Sequence, residues 1–236
     1  MRILALNGSP RKKKWNTVTL LEKVLEGAAS VGAETELVQL YSLHYSGCIS
    51  CFSCKKKNRR QDGVCAVQDD LTPVLDRVKE VDALIIGTPV YYGCETAATR
   101  ALLERLCFPY LTYSLKKISS FPRAIKTGLI YTMNVNDEFV EELSYSQFFG
   151  NTKSMLEMHF NGPCELLLST DTLQYSDYHK YESEMFDKEA KAKRHAEVFP
   201  RDCERAFEMG ISMAGSLTQN TTIRPHIIGN GKYFDT

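Results

Sequence analysis

The sequence predicts an α/β fold with a doubly wound parallel sheet, and three observations support this prediction. Short apolar runs of strand length alternate along the chain with longer segments of helical periodicity. The first apolar run, RILALN at 2–7, is closed by Gly8, Ser9 and Pro10, which break a strand. Five such runs separated by helical segments are typical of a parallel sheet that helices cover on both faces.

The apolar spacing predicts ten elements. Strands are expected at 2–7, 35–40, 82–87, 124–133 and 164–170, with a turn at 88–93 after the third. Helices are expected at 16–31, 70–80, 95–108, 138–158 and 199–216, the first capped by Asn16 or Thr17 and the second by Asp69 or Asp70. This order predicts a flavodoxin-like five-stranded sheet, order 2-1-3-4-5, whose ligand lies at the carboxyl ends of strands 1 and 3.

The length of 236 residues suits one domain with additions. We expect a single domain at 1–216, a cysteine loop at 46–66, a helical elaboration at 171–198 and a C-terminal tail at 217–236. In the elaboration, Tyr175, Tyr178 and Tyr181 recur at every third position. These rings either pack on the protein's own surface or cover a cofactor or a partner subunit.

Composition excludes several function classes. Hydrophobic residues make up 43% and charged residues 25% of the chain, and 29 basic residues balance 29 acidic ones. A neutral chain gives no support for binding nucleic acid or an anionic membrane. No apolar run reaches the roughly 18 residues that span a bilayer, and the N-terminus lacks a secretory pattern. We therefore expect a cytoplasmic protein whose thiols stay reduced.

Four cysteines lie close together, at Cys48, Cys51, Cys54 and Cys65, with the spacing C-x2-C-x2-C-x10-C. In a reducing compartment, clustered cysteines indicate a metal site or catalysis more often than disulfides. Three thiolates spaced this closely can bind one [4Fe–4S] cluster, with a fourth ligand from further along the chain. Two alternatives stay open: free or disulfide-forming thiols, and a zinc site.

Two loops at neighbouring strand ends predict a ligand site. The first loop offers small and hydroxyl residues followed by a helix N-terminus, which together suit a phosphate monoester. The second, TPVYYG at 88–93, offers backbone groups and aromatic faces to a flat ring. Because the two strands are neighbours in the predicted sheet, both loops are expected to contact the same ligand.

These motifs resemble a known family. LNGSPRKKKWNT together with GTPVYYGCETAATRALLERL is similar to the FMN reductases of the flavodoxin-like superfamily, and the cysteine block resembles their iron-sulfur flavoprotein branch. The resemblance implies that the FMN phosphate is held by Ser9, Arg11, Asn16 and Thr17. It implies that the isoalloxazine ring is bordered by Pro89, Val90, Tyr91, Tyr92 and Gly93. It also implies a third edge at 131–134, formed by Thr132 and Asn134.

The implied function is an FMN-dependent oxidoreductase that passes electrons from NAD(P)H through FMN to an unknown acceptor, with a [4Fe–4S] cluster on the four cysteines. The flavin carries the chemistry, so no side chain is assigned as catalytic. The resemblance also implies a homodimer or homotetramer. Two other interpretations are an electron carrier with ferredoxin-like partners and a thiol/flavin redox sensor.

Overall fold

The computed structural model describes residues 1–57, 63–114 and 116–216. The expected tail at 217–236 lies outside the described residues, as does the 58–62 part of the cysteine loop. Among the described helices, none is both long and apolar enough to cross a bilayer.

A parallel sheet forms the centre of the molecule. Its strands are β1 (Arg2–Asn7), β2 (Glu34–Gln39), β3 (Ala83–Tyr91), β5 (Lys126–Thr132) and β6 (Cys164–Ser169), with the two-residue β4 (Cys94–Glu95) antiparallel to the end of β3. The helices are α1 (Asn16–Ser30), α2 (Thr72–Val78), α3 (Ala97–Cys107), α4 (Asp137–Glu142), α5 (Tyr145–Phe160), α6 (Lys188–Glu197) and α7 (Phe199–Met213). The sheet order is β2-β1-β3-β5-β6, which confirms the predicted 2-1-3-4-5 order.

Side-chain alternation along β1 sends residues into two cores. Ile3 and Ala5 face one core, which α1 and α7 complete. Leu4 and Leu6 face the other, which α2, α3 and α5 complete. Both faces of the central strands are therefore buried, which explains why they read as continuous apolar runs.

Two predicted boundaries were wrong. Strand β3 continues through the predicted turn as far as Tyr91, and only Tyr92 and Gly93, with φ of 51° and 79°, make the reversal into β4. The predicted helix at 138–158 is two helices, because the chain turns at Ser144 with φ of 57°. Both breaks are left-handed backbone positions that apolar periodicity does not reveal.

The predicted helix caps were also wrong. Helix α1 has Trp15 at its N-cap position, and helix α2 has Leu71. Asn16 instead donates from Nδ2 to the Leu173 carbonyl over 2.9 Å, and the Thr17 hydroxyl lies 2.7 Å from that of Thr132. Both polar side chains, which could have capped the helix, are thus used to join distant elements.

The 171–198 elaboration is mostly irregular, with a short 3-10 helix at Tyr178–Lys180 and helix α6. Tyr175 stacks on Tyr181 with ring centroids 4.2 Å apart, and its contact with Tyr178 is edge-on at 5.2 Å. The tyrosines therefore pack on one another, while residues 172–174 reach the edge of the sheet described next.

Candidate active site

A cleft of about 360 Å³ opens at the carboxyl ends of β1, β3 and β5. A volume of this size is in the range of small-molecule sites. Its lining consists of Ser9, Arg11, Trp15, Asn16, Thr17, Pro89, Val90, Tyr91, Thr132, Met133, Asn134, Thr172, Leu173 and Gln174. The structure thus brings together all the residues predicted to bind cofactor except Tyr92 and Gly93.

The first loop is shaped by a buried asparagine at the end of β1. The Asn7 side chain accepts from the Ser9 N–H over 3.0 Å and donates to Gln39 Oε1 over 2.6 Å. The Ser9 hydroxyl then accepts from the Arg11 N–H over 3.2 Å. Gly8 is held from the other side, since its N–H donates to the Gly87 carbonyl over 2.7 Å. The turn is therefore rigid before any ligand arrives.

The start of α1 provides positive potential. The first N–H groups of any α-helix lack intrahelical acceptors, and the helix dipole makes this end attractive to anions. Arg11 adds a full charge, and its guanidinium carbon lies 3.8 Å from the centre of the Trp15 ring, a cation–π contact that orients it. This end of the cleft suits a phosphate.

The second loop is a hairpin, in which Val90 pairs with Glu95 and Tyr91 with Cys94. Tyr91 lies at the rim of the cleft, whereas Tyr92 points to solvent and Gly93 packs near Tyr145. The backbone explains the difference, because Tyr91 is the last residue of β3 whereas Tyr92 lies in the left-handed reversal with φ of 51°.

A buried carboxylate anchors this hairpin. Glu95 Oε1 accepts from the Tyr131 hydroxyl over 2.6 Å and from the Thr152 hydroxyl over 2.8 Å. Burial and then the charge of Glu95 raise the pKa of Tyr131, so this phenol stays a donor. The hairpin is therefore tied both to the neighbouring strand β5 and to α5.

The third edge is supported from behind by α6. Lys191, a buried lysine, donates to the Asn134 carbonyl over 3.0 Å and to Asn134 Oδ1 over 2.5 Å, and it is paired with Asp171. Sequence reasoning missed this lysine, and it also missed Trp15, Thr172, Leu173 and Gln174 in the lining, while Met133 lies within the predicted edge at 131–134. Trp15 could have been found from its place directly before α1, but no sequence signal marks Lys191.

The four predicted metal ligands line a second, separate pocket. Cys48, Cys51, Cys54 and Cys65 meet around a space of about 20 Å³, beside the α3 residues Glu104 and Arg105. That space admits about one water-sized sphere. Within 1–57, 63–114 and 116–216, no three Cys, His, Asp or Glu side chains are in a metal-coordinating arrangement.

The cysteine loop is attached to the C-terminal end of α3 and to the segment that follows it. The Cys48 N–H donates to Glu104 Oε2 over 3.0 Å near its start. Lys55 donates to the Leu111 carbonyl over 2.5 Å and also to that of Phe108. Gly63, with φ of 72°, lies directly against the Tyr110 ring. Tertiary contacts thus gather thiols that a ten-residue gap separates in sequence.

The thiols differ in their surroundings. Hydrogen bonds from the backbone and side chain of Ser53 lower the pKa of the exposed Cys51 thiol. Burial raises the pKa of Cys54. For Arg105, burial acts to lower the pKa, but hydrogen bonds to Asp69 and Cys65 outweigh it and raise the pKa overall. Arg105 therefore stays charged beside the pocket.

The profile of the NADPH-dependent FMN reductase family matches residues 1–120, which is half of the chain. The chain belongs to the NADPH-dependent FMN reductase family. Among its relatives, this FMN reductase family member is 38% identical to an iron-sulfur flavoprotein of Archaeoglobus fulgidus over 105 residues, 44% of this chain. That match spans about half of the relative, 48% of its length.

Solved structures agree on the fold of this FMN reductase family member. The NAD(P)H:quinone oxidoreductase from Methanothermobacter marburgensis superposes with a TM-score of 0.66 and 14% identity, covering 92% of this chain and 99% of that one. An FMN-dependent NADH-azoreductase from Bacillus anthracis, in complex with FMN, gives 0.63 and 11%, covering 91% and 100%. At these identities the likeness establishes the fold alone.

Proposed function

We propose that this protein binds FMN in the cleft and is a flavin oxidoreductase that takes a hydride from NAD(P)H. The observation that carries the proposal is the cleft itself, which joins a positively charged phosphate end to a hairpin at the β1–β3 switch point. Membership of the FMN reductase family supports the choice of ligand.

Each end of the cleft has its own task. Arg11 and the first N–H groups of α1 bind the phosphate, with Ser9, Asn16 and Thr17 as polar neighbours. Pro89, Val90 and Tyr91 border the ring through the hairpin, and Thr132 with Asn134 forms the third edge. When bound, FMN supplies the exchange between two-electron and one-electron transfer.

The lining, as far as the described residues form it, contains no carboxylate, histidine, lysine or thiol. Tyr91 is therefore the one described lining residue of a kind that often acts as a general acid or base, and hydride transfer itself requires neither. The task of the protein is to orient the ring and leave one face accessible. Tyr91, 46% exposed at the rim, lies where a second planar group can approach.

For the second pocket, we propose that Cys48, Cys51, Cys54 and Cys65 hold a metal–thiolate centre, with a [4Fe–4S] cluster as the first candidate. The donor set suits iron–sulfur or zinc chemistry, and the four thiols already line one space. The similarity to proteins named iron-sulfur flavoproteins supports iron. An iron–sulfur cluster on these thiols, unlike zinc, would let the protein exchange single electrons with a ferredoxin-like partner.

We further propose a homodimer or homotetramer in the cytoplasm. Beside the cysteine loop, Ile49, Phe52 and Tyr113 are 63%, 53% and 76% exposed, and large apolar side chains clustered on a surface favour association. Light scattering of the purified protein would decide the subunit number.

The first experiment is anaerobic purification followed by FMN, iron, sulfide and zinc counts per chain. One FMN with about four irons and four sulfides supports both parts of the proposal. FMN without metal supports a plain flavin oxidoreductase, with thiols that are free or form a switch. A chain that takes up no flavin even after reconstitution contradicts the central proposal.

A matched pair of variants then tests the phosphate end. Arg11→Gln removes a charge from the cleft, and we expect FMN to bind about tenfold more weakly, or about 1.4 kcal/mol. Lys13→Gln removes an exposed charge from the same loop and should bind FMN as the wild type does. Equal FMN affinities of the two variants would show that the phosphate does not bind beside Arg11.

The choice of electron donor separates the enzyme from its rivals. Rapid bleaching of the flavin by NADPH or NADH without oxygen supports the enzyme. Reduction by ferredoxin or dithionite alone supports the electron carrier. A redox sensor predicts that Cys51→Ser leaves flavin reduction unchanged and alters binding of a partner.

A further inference from the structure

Arg105 is the largest fully buried side chain of the described residues, and it belongs to the cysteine pocket. It projects from α3 with 1% of its surface exposed, and it lines the pocket together with the four thiols. An arginine is almost never buried without several partners, because removing an isolated charge from water is very costly. Its contacts therefore indicate what it does.

Those contacts join the two ends of the cysteine loop. Arg105 Nη1 donates to the Ser46 carbonyl over 3.2 Å, two residues before Cys48. Arg105 Nη2 donates to the Val67 carbonyl over 2.9 Å, two residues after Cys65. One guanidinium thus joins a residue before the first cysteine of the loop to a residue after the last one. Closing a long loop costs entropy that grows slowly with its length, and this rigid fork adds to the attachments made by Glu104 and Lys55.

Among the described residues, Asp69 is the one carboxylate that pairs with Arg105. Asp69 pairs with Nη1 and is itself partly exposed, with 17% of its side-chain surface accessible. The Nε–H is buried and has no acceptor among the described residues. A buried donor without a partner is unfavourable, and an anionic group in the adjoining pocket would relieve that cost.

We propose that Arg105 is a positioning residue for the thiolate centre: it closes the loop so that Cys65 joins Cys48, Cys51 and Cys54, and its charge stabilises their negative charge. This inference rests on the proposed metal centre. The proposal also accounts for the ten-residue gap before Cys65. Arg105, on α3, fixes the position of this thiol, so a short spacing from the other three cysteines is not needed.

The two proposed roles of Arg105, closing the loop and stabilising negative charge, predict different results. If Arg105 only supports the loop, its loss and the loss of Asp69 weaken metal binding in the same way. If its charge acts on the centre, the two losses shift the reduction potential in opposite directions, because a positive charge favours the reduced, more negative state. Asp69→Asn keeps the shape of the side chain and removes only the opposing charge.

The experiment compares wild type with Arg105→Gln, Arg105→Lys and Asp69→Asn. Zn²⁺ is titrated into the reduced, metal-free proteins without oxygen, and the midpoint potential is measured after iron–sulfide reconstitution. We expect Arg105→Gln to bind Zn²⁺ at least tenfold more weakly and to have a more negative potential. Arg105→Lys keeps the charge but not the fork, so its potential should be closer to the wild-type value than its zinc affinity is. Asp69→Asn should have a more positive potential than wild type.

Three results would overturn the inference. The first is zinc affinity and potential in Arg105→Gln equal to wild type. The second is a shift of the same sign in Arg105→Gln and Asp69→Asn. The third is a wild-type chain that binds neither metal, which overturns the metal centre as well. FMN content measured in the same samples shows separately whether the proposed flavin site holds.

Loss of a buried ion-pair partner can unfold a protein, so folding is checked by circular dichroism. If Arg105→Gln does not fold, Arg105→Lys and Asp69→Asn still decide the matter. Wild-type zinc affinity in Arg105→Lys together with a wild-type potential in Asp69→Asn contradicts the inference.

Discussion

The cleft and the cysteine pocket are built by different means. The cleft lies at the ends of β1, β3 and β5, and backbone groups of neighbouring strands define most of its shape. The cysteine pocket lies beside α3, where a loop is attached by the long side chains of Lys55 and Arg105. The first follows from the topology of the sheet, whereas the second depends on a few side-chain attachments.

This difference has a consequence for mutation. A site defined by parallel strands persists as long as the sheet persists, and flavodoxin-like sheets share it for that reason. A site defined by attachments can be dismantled while the sheet remains. The two sites should therefore be separable by single substitutions, which the following predictions address.

The largest effect is expected at Lys191, a buried charged side chain that supports the cleft from behind. Lys191→Met removes the ammonium group that joins Asn134 to Asp171, and breaking such a buried pair costs about 4 kcal/mol. Chemical denaturation should show this loss, together with weaker FMN binding. Lys193→Met, on the exposed face of the same helix, should change neither. Equal stability of both variants would show that α6 does not support the cleft.

Next is Gly63→Ala, which should damage only the cysteine pocket. The added Cβ would lie 1.9 Å from Tyr110 Cε1, at a backbone φ of 72°. Overpacking and left-handed strain together cost about 3 kcal/mol. Zinc titration should show at least tenfold weaker binding, while flavin fluorescence titration should show unchanged FMN affinity. Gly32→Ala shares the positive φ but has open space around it, so it isolates the strain from the clash.

The counterpart is Gly8→Ala, which should damage only the cleft. Its Cβ would lie 1.9 Å from the buried Thr99 Oγ1, and we expect a loss of about 2 kcal/mol with weaker FMN binding. Zinc affinity should be unchanged. Gly150→Ala in α5, with nothing within 4 Å, is the control and should be neutral or stabilising. If Gly8→Ala and Gly63→Ala lose both ligands alike, the two sites are not independent.

The smallest effect concerns pH. Burial lowers the pKa of His159, whose Nδ1 lies 2.8 Å from the Met155 carbonyl. The unfolded chain therefore binds more protons as the pH falls through the ordinary histidine pKa, and stability decreases with it. His159→Gln should flatten the dependence of unfolding free energy on pH between about 7.5 and about 5. His44→Gln, at an exposed position, should leave that dependence unchanged.

The sequence alone predicted the sheet, its strand order and most of the cleft. Buried parallel strands must be apolar on both faces, so the runs at RILALN and DALIIG are visible without a structure. The carboxyl ends of adjacent strands then meet by geometry, which placed the loop of Ser9 and Arg11 beside Pro89, whereas Thr132 came from the family resemblance. Apolar periodicity is a local property of the sequence, and the strand order follows from the order of the elements along the chain.

Only the tertiary structure decided which side chains complete each site. Whether Tyr91 or Tyr92 faces the cleft depends on the register of the β3–β4 hairpin. The roles of Lys191 and Arg105 depend on contacts 57 and 59 residues away in sequence. A lysine in a polar helix and an arginine after a glutamate look like surface residues, because burial is a property of the packed fold. Long-range packing determines which charges are buried, so it also determines which ones hold a site together.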